Sequence, residues 1–205
     1  MHSTRYCKCH FYEGKSEHWG VLERKSFALK GAKPHFTPDT PLLPKHLKLE
    51  LNFDWNNERV WGSTTHNLVV KGHDVREISF DAVNLDISQV LLGGKSVEFE
   101  NTGERVLIAL PKKLKNGGAI AVKLFHSVTK PVAGIYFTKP DAHYPSRFKT
   151  VWTQGQDEDS RFYFPCLDRP NFKQTTEVLL HVPRGMFGLS NGRLMGKKTA
   201  KTESF

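Results

Sequence analysis

Cysteine is scarce in this sequence of 205 residues, where only Cys7, Cys9 and Cys166 occur. An odd and sparse set argues against a disulfide-stabilised scaffold and is typical of a reducing compartment. No apolar run approaches the ~20 residues that a membrane-spanning helix needs. The first ten residues have no apolar stretch of the kind found in secretory signals. We therefore expect a cytoplasmic protein that makes no contact with a membrane.

Blocks of like charge are also missing. The formal net charge is +9, which raises the possibility of a nucleic-acid partner. The lysines and arginines are spread along the chain, however, and no five or six of them are consecutive. We therefore expect no nucleic-acid partner.

The common catalytic motifs are absent as well. The sequence has no Gly-x-Ser-x-Gly, no Gly-rich phosphate loop, no Gly-x-Gly-x-x-Gly and no His-Glu-x-x-His. Its ten histidines include no pair at the i, i+4 spacing, and His66 and His126 on candidate strands are interpreted as packing or surface residues. Cys7, Cys9 and His10 could ligate zinc, but Cys-x-Cys is tighter than the usual spacing and no second Cys pair follows. We predict no metal site and no catalytic residue in this chain.

The sequence does contain many short strand patterns. In residues 47–55, Leu47, Leu49, Leu51, Phe53 and Trp55 alternate with polar residues, which predicts a half-buried strand. Turn residues separate most of the other candidates, which are 59–70, 75–83, 85–91, 96–100, 105–110, 119–125, 132–137, 175–182 and 187–194. The only candidate helix is short, at 157–161. This pattern predicts an all-β fold, a saddle-like sandwich of mostly antiparallel sheets.

The first 44 residues differ from the rest. They are rich in proline near their end and have no periodic apolar pattern. We predict an extended N-terminal arm over 1–44 and a β domain over 45–205.

Residues 147–172 combine aromatic, amide and charged side chains with little alternation. Such loops on a β scaffold often carry binding residues. The alternative is a well-packed connection, in which Asp168 caps a turn and Arg161 pairs with Asp157 or Glu158. The residues alone leave these two interpretations open.

The same segment resembles a known signature. Val151-Trp-Thr-Gln-Gly-Gln156, Ser160-Arg161 and Phe164-Pro-Cys-Leu-Asp168-Arg-Pro170 follow the order found in the N-terminal domain of the aminopeptidase N-like zinc metallopeptidases. Val60-Trp-Gly-Ser63 resembles that family's V-x-G strand, and Val132-Ala-Gly-Ile-Tyr-Phe137 resembles a later segment. Leu110-Pro111 is expected to end a strand. The resemblance covers residues 44–194.

The resemblance implies a saddle of mostly antiparallel sheets that lies against a thermolysin-like catalytic domain. That domain supplies the family's zinc, its His-Glu-x-x-His helix and its Gly-x-Met-Glu-Asn loop, and this sequence contains none of them. We therefore expect a fragment, the N-terminal domain without its catalytic domain. Its partners would be that catalytic domain and, through the complete enzyme, a peptide substrate.

By the same resemblance, Gln156 is the candidate for binding the α-amine of the substrate and Gln154 its neighbour at the first side-chain pocket. Most members of the family have Glu where this chain has Gln156, although the epoxide-hydrolysing branch has Gln. Trp152, Arg161, Pro165, Cys166, Asp168 and Pro170 are interpreted as structural residues of the motif, and a nucleophilic Cys166 is not expected.

Two alternatives belong to other classes. The same fold occurs as a non-catalytic scaffold in a general transcription-factor subunit, where the domain makes only protein contacts. A free-standing β-sandwich binding module is the third hypothesis, and it would need a large exposed apolar patch.

Overall fold

The described part of the chain forms eleven strands and one short helix. The computed structural model describes residues 40–198. The strands are β1 Leu42–Asp54, β2 Arg59–Val70, β3 Val75–Asp81, β4 Asp86–Leu92, β5 Lys95–Ser96, β6 Glu100–Asn101, β7 Arg105–Leu114, β8 Ala119–Thr129, β9 Ile135–Thr138, β10 Thr150–Thr153 and β11 Thr175–His181. A 3-10 helix covers Ser160–Phe162, and residues 40–198 contain no α-helix. The predicted all-β class is confirmed.

The largest sheet has six strands in the order β11-β1-β2-β8-β4-β5. Only β1 and β11 run parallel, and all other neighbours in this sheet are antiparallel. The predicted alternation in β1 is confirmed, because Leu47, Leu49, Leu51 and Phe53 are all buried. Their face of the sheet therefore forms one wall of the core.

Gly62 allows β1 and β2 to approach closely. It lies opposite Leu51 in the ladder, and a Cβ built on it would collide with the carbonyl oxygen of Glu50. Any larger residue would push the two strands apart. This contact gives a physical reason for glycine in the Val60-Trp61-Gly62 segment.

The second wall of the core comes from a three-stranded sheet in the order β3-β7-β6. Ile78, Phe80, Val106 and Ile108 of this sheet are buried in the same cluster as the apolar face of β1. The rings of Phe80 and of His66 on β2 lie 4.5 Å apart between their centroids. The two sheets therefore pack face to face, as in a sandwich.

Several predicted strand ends differ from the structure. Pro111 does not end a strand, since β7 continues to Leu114. Its pairing with β3 shifts between Ala109 and Leu114, so Pro111 lies at an irregularity where its missing N–H breaks no ladder bond. The predicted strand 96–100 is instead the end of β5 and the start of β6, which belong to different sheets.

The predicted strand at 187–194 is wrong. The described chain has no strand after β11, and Phe187, Leu189 and Leu194 are between 74% and 83% exposed. Gly192 has a φ of +103°, which a β-strand does not accommodate. A short apolar pattern without a pairing partner is not enough to form a strand.

The predicted N-terminal arm lies mostly outside the described residues, as do Cys7, Cys9 and His10. Leu42 and Leu43, assigned to the arm from the sequence, already belong to β1. The ladder between β1 and β2 shifts between Pro44 and His46, and this irregularity accommodates the proline inside the strand. Within residues 40–198, no helix has the length and hydrophobicity to cross a membrane.

Candidate functional site

The candidate site lies at the end of the β9–β10 hairpin, a two-stranded antiparallel sheet. The ladder pairs Trp152 with Tyr136 and Thr150 with Thr138. Because side chains alternate along a strand, Thr150 and Trp152 share one face of β10, and Gln154, the first residue after the strand, continues this alternation. That face is exposed, whereas Val151 on the opposite face is half-buried against the core.

Strand β10 was not predicted as a strand. Its sequence, Thr150-Val-Trp-Thr153, consists of β-branched and aromatic residues, and that composition is the signal by which it could have been found. Tyr136 was likewise not singled out as a site residue. Its ring stacks on Trp152 with centroids 4.4 Å apart and an interplanar angle of 24°.

Gln154 and Gln156 follow directly after β10, and both side chains are exposed. The backbone N–H of Gln154 donates to the carbonyl oxygen of Gly134 at 2.9 Å, which extends the hairpin pairing by one residue. The backbone N–H of Asp159 donates to the carbonyl oxygen of Gly155 at 3.1 Å. The two glutamines therefore lie on a loop whose backbone is held on both sides.

Gly134 makes room for this loop. Its φ is +79°, and a Cβ built on it would collide with the carbonyl oxygen of Asp159 and approach the ring of Tyr163 to 2.9 Å. Only glycine combines this backbone conformation with so close a contact. The hairpin and the loop are thus fitted to each other at Gly134.

Hydrogen bonds between charged side chains hold the 3-10 helix that follows the loop. The Nε–H of Arg161 donates to Asp168 Oδ2 at 3.2 Å, and its Nη2 donates to Glu158 Oε2 at 2.7 Å. The backbone N–H of Asp168 donates to Oδ2 of Asp81, at the end of β3. Burial raises the pKa of the Asp168 carboxyl above its usual value, and the hydrogen bonds from Arg161 oppose this shift.

The Pro165-Cys166 segment is joined to both sheets. Cys166 and Asp81 form a backbone bridge, with N–H···O distances of 2.8 and 3.0 Å. The Nε2–H of His66 donates to the carbonyl oxygen of Pro165 at 2.9 Å. Neither Asp81 nor His66 was identified from the sequence as a partner of this motif, because each is far from it along the chain.

Cys166 has the environment of a packing residue. Its side chain is buried, and burial raises the pKa of its thiol well above the usual value. Burial likewise raises the pKa of the neighbouring Tyr163 to about 12. A thiol with a raised pKa is mostly protonated at neutral pH and is a poor nucleophile.

The structure thus brings Arg161, Pro165, Cys166 and Asp168 together in a buried or half-buried support. Pro170 is exposed beyond it, and Gln154, Gln156 and Trp152 are exposed on the hairpin side. A cavity of about 260 Å³ is lined by Ser160, Asp168 and Pro170 among others. Gln154 and Gln156 do not line it. The glutamines therefore belong to an open surface and not to an enclosed pocket.

The described residues offer no cluster of metal ligands. Between Thr40 and Lys198, no three His, Cys, Asp or Glu side chains are grouped so that they could hold a metal ion.

These features define a class of protein. It is an all-β domain in which an exposed polar loop packs on a buried segment of the same motif. The family model for the Peptidase M1 N-terminal domain matches residues 43–204. The chain belongs to this family.

The relatives of the chain agree with this assignment. Leucine aminopeptidase 2 of Yarrowia lipolytica is 25% identical over 142 residues, which cover 66% of this chain and 21% of that protein. Leucine aminopeptidase 2-2 of Scheffersomyces stipitis is 28% identical over 153 residues, which cover 72% of this chain and 23% of that protein. The chain therefore spans less than a quarter of the length of these relatives.

Solved structures show the same fold. Yeast LTA4 hydrolase in complex with bestatin matches with a TM-score of 0.59 and 19% identity, over 72% of this chain and 25% of that one. The M1 zinc metallopeptidase of Deinococcus radiodurans matches with a TM-score of 0.58 and 21% identity, over 75% of this chain and 37% of that one. The matched region makes up a minor part of each of these two solved chains.

Proposed function

We propose that this chain is the substrate-cleft domain of a zinc aminopeptidase, and that it helps to bind the free α-amine of a peptide through Gln156. The complete protein is, in this proposal, this domain together with a catalytic domain that holds the zinc. The observation that carries the proposal is the exposure of Gln154 and Gln156 on a loop that is anchored on both sides. A preorganised loop binds a ligand without the entropic cost of ordering first.

The chemistry of an amide suits this role. A peptide α-ammonium has three N–H donors, and the Oε1 atom of Gln156 can accept one of them. Gln154, two residues earlier, would contact the first side chain. Because an amide is neutral, the positive charge of the ammonium requires carboxylates from the catalytic domain.

The zinc would belong to the catalytic domain, where it would activate a water molecule and polarise the peptide carbonyl. The described part of this chain has no group of ligands for it. The residues of this chain would bind and orient the peptide and would transfer no proton.

The test compares Gln156→Ala and Gln156→Glu in the complete protein, with an aminoacyl-arylamide as substrate. A hydrogen bond to a charged group contributes about 1.5–3 kcal/mol, so the alanine variant should lose about 10- to 150-fold in kcat/KM. Glutamate supplies a charge-assisted bond and should retain or exceed the original value. Gln89→Ala, at an exposed glutamine on β4, is the matched control and should leave kcat/KM unchanged.

An unchanged kcat/KM in the Gln156→Ala variant would show that the amine is bound elsewhere. A complete protein without zinc and without turnover would instead support the scaffold hypothesis, in which the domain makes only protein contacts.

A further inference from the structure

The outward face of the β9–β10 hairpin presents an aromatic surface beside Gln154. Trp152 remains 51% exposed although its ring is stacked on Tyr136. Two positions along the ladder, on the same face, the hydroxyls of Thr138 and Thr150 are hydrogen-bonded to each other. Stacking on Tyr136 therefore orients the indole of Trp152, and about half of the residue's surface stays accessible.

The spacing of residues along the chain places Trp152 close to Gln154. Trp152 and Gln154 are two residues apart on an extended strand, so their Cα atoms are separated by about 7 Å and their side chains point the same way. An extended peptide has the same repeat, and its first and third side chains lie on one side. If the first side chain lies at Gln154, the third lies over Trp152.

We propose that Trp152, oriented by Tyr136, binds a large apolar or aromatic side chain at the third residue of the peptide substrate. This inference rests on the proposed function, because the amine site at Gln156 sets the register of the peptide. Stacking of an aromatic side chain on an exposed indole removes apolar surface from water and adds a favourable ring contact. The ladder positions that flank Trp152 on this face are uncharged, since they hold Tyr136, Thr138 and Thr150.

The test measures kcat/KM of the complete protein for Leu-Ala-Phe, Leu-Ala-Ala and a leucine arylamide, which has no third residue. An aromatic contact of this kind corresponds to about a 2- to 10-fold effect. Trp152→Ala should therefore lower kcat/KM by that factor for Leu-Ala-Phe and by less than 2-fold for the other two substrates. Trp152→Phe should retain most of the preference for Leu-Ala-Phe. Phe187→Ala removes a similarly exposed aromatic side chain outside the hairpin and should change none of the three values.

An equal loss on all three substrates in both Trp152 variants would overturn the proposal and would identify Trp152 as a purely structural residue. The outcome is separable from that of the amine site. A selective loss in Trp152→Ala together with an unaffected Gln156→Ala variant would support the aromatic contact and reject the amine site.

A second measurement needs no turnover. In the complete protein stripped of its zinc, which leaves the peptides uncleaved, the indole Nε1–H resonance of Trp152 should shift on titration with millimolar Leu-Ala-Phe and shift much less with Leu-Ala-Ala. Equal shifts with both peptides, or none with either, would overturn the proposal.

Discussion

Two histidines in the sandwich core should make the stability of the domain depend on pH. His66 on β2 and His126 on β8 are 1% and 3% exposed, and Nδ1 of each ring has no hydrogen-bond partner among the described residues. Burial lowers the pKa of His66 to about 4, although its hydrogen bond to Pro165 acts in the opposite direction. Burial, with the nearby His66 as a smaller cause, lowers the pKa of His126 to about 3.

The sign of the effect follows from the direction of these shifts. Both imidazoles stay neutral in the folded state, whereas in the unfolded chain they take up protons below their ordinary pKa of 6.5. Stability is therefore fully present above pH 6.5 and falls as the pH decreases toward 4. Each histidine should lower the free energy of unfolding by about 2 kcal/mol at pH 5, since one pH unit corresponds to about 1.4 kcal/mol per proton. The two together should cost about 4 kcal/mol.

The assay is urea unfolding of the 205-residue chain, followed by tryptophan fluorescence at pH 8, 6 and 5. His66→Gln and His126→Gln should each reduce the slope of unfolding free energy against pH by about half. Each variant is compared with itself at pH 8, so a loss of stability from the substitution does not affect the slope. His143→Gln, in an exposed loop, is the control. A free energy of unfolding that does not change between pH 6 and 5 would refute the reasoning, as would a slope that neither core substitution reduces.

Two further predictions concern the support of the site. Gly134→Ala should destabilise the domain by ~2 kcal/mol or more, because Gly134 has a positive φ and its contact with Asp159 leaves no room for a methyl group. Thermal unfolding would measure this loss. Ala133→Gly is its neighbouring control, and an unchanged melting temperature in Gly134→Ala would contradict the fit between hairpin and loop. Cys166 should resist a thiol reagent such as DTNB until the protein unfolds, because its thiol is buried and its pKa raised. The experiment needs Cys7→Ser and Cys9→Ser in the same chain, and rapid labelling of the folded variant would show an accessible thiolate.

Much of the fold could be predicted because its signals are local. The alternation of Leu47, Leu49, Leu51 and Phe53 identifies a strand without reference to any other segment, and the structure buries all four. The end of β7 and the segment after β11 could not be predicted in this way. A strand exists only where a partner is available, and the pairing of β7 with β3 depends on residues some 30 positions away.

In the candidate site, too, some features could be predicted from the sequence and others could not. The order of residues around Gln154, Gln156, Arg161 and Asp168 singles out the segment. It suggests Asp157 or Glu158 as the partner of Arg161, and in the structure the ion pair is with Glu158. The exposure of the glutamines and their anchoring to Gly134 are visible only in the structure. Their roles in substrate binding stay predictions.

The sequence by itself determined the alternation of the strands, the turns between them and the family motif, because each depends on neighbours along the chain. Tertiary structure alone decided that Tyr136 orients Trp152 and that Asp81 and His66 hold the Pro165–Asp168 segment. Contacts of this kind join residues that are between 16 and 99 positions apart. They form only when strand pairing and core packing bring distant segments to hydrogen-bonding distance, and no local pattern encodes that distance.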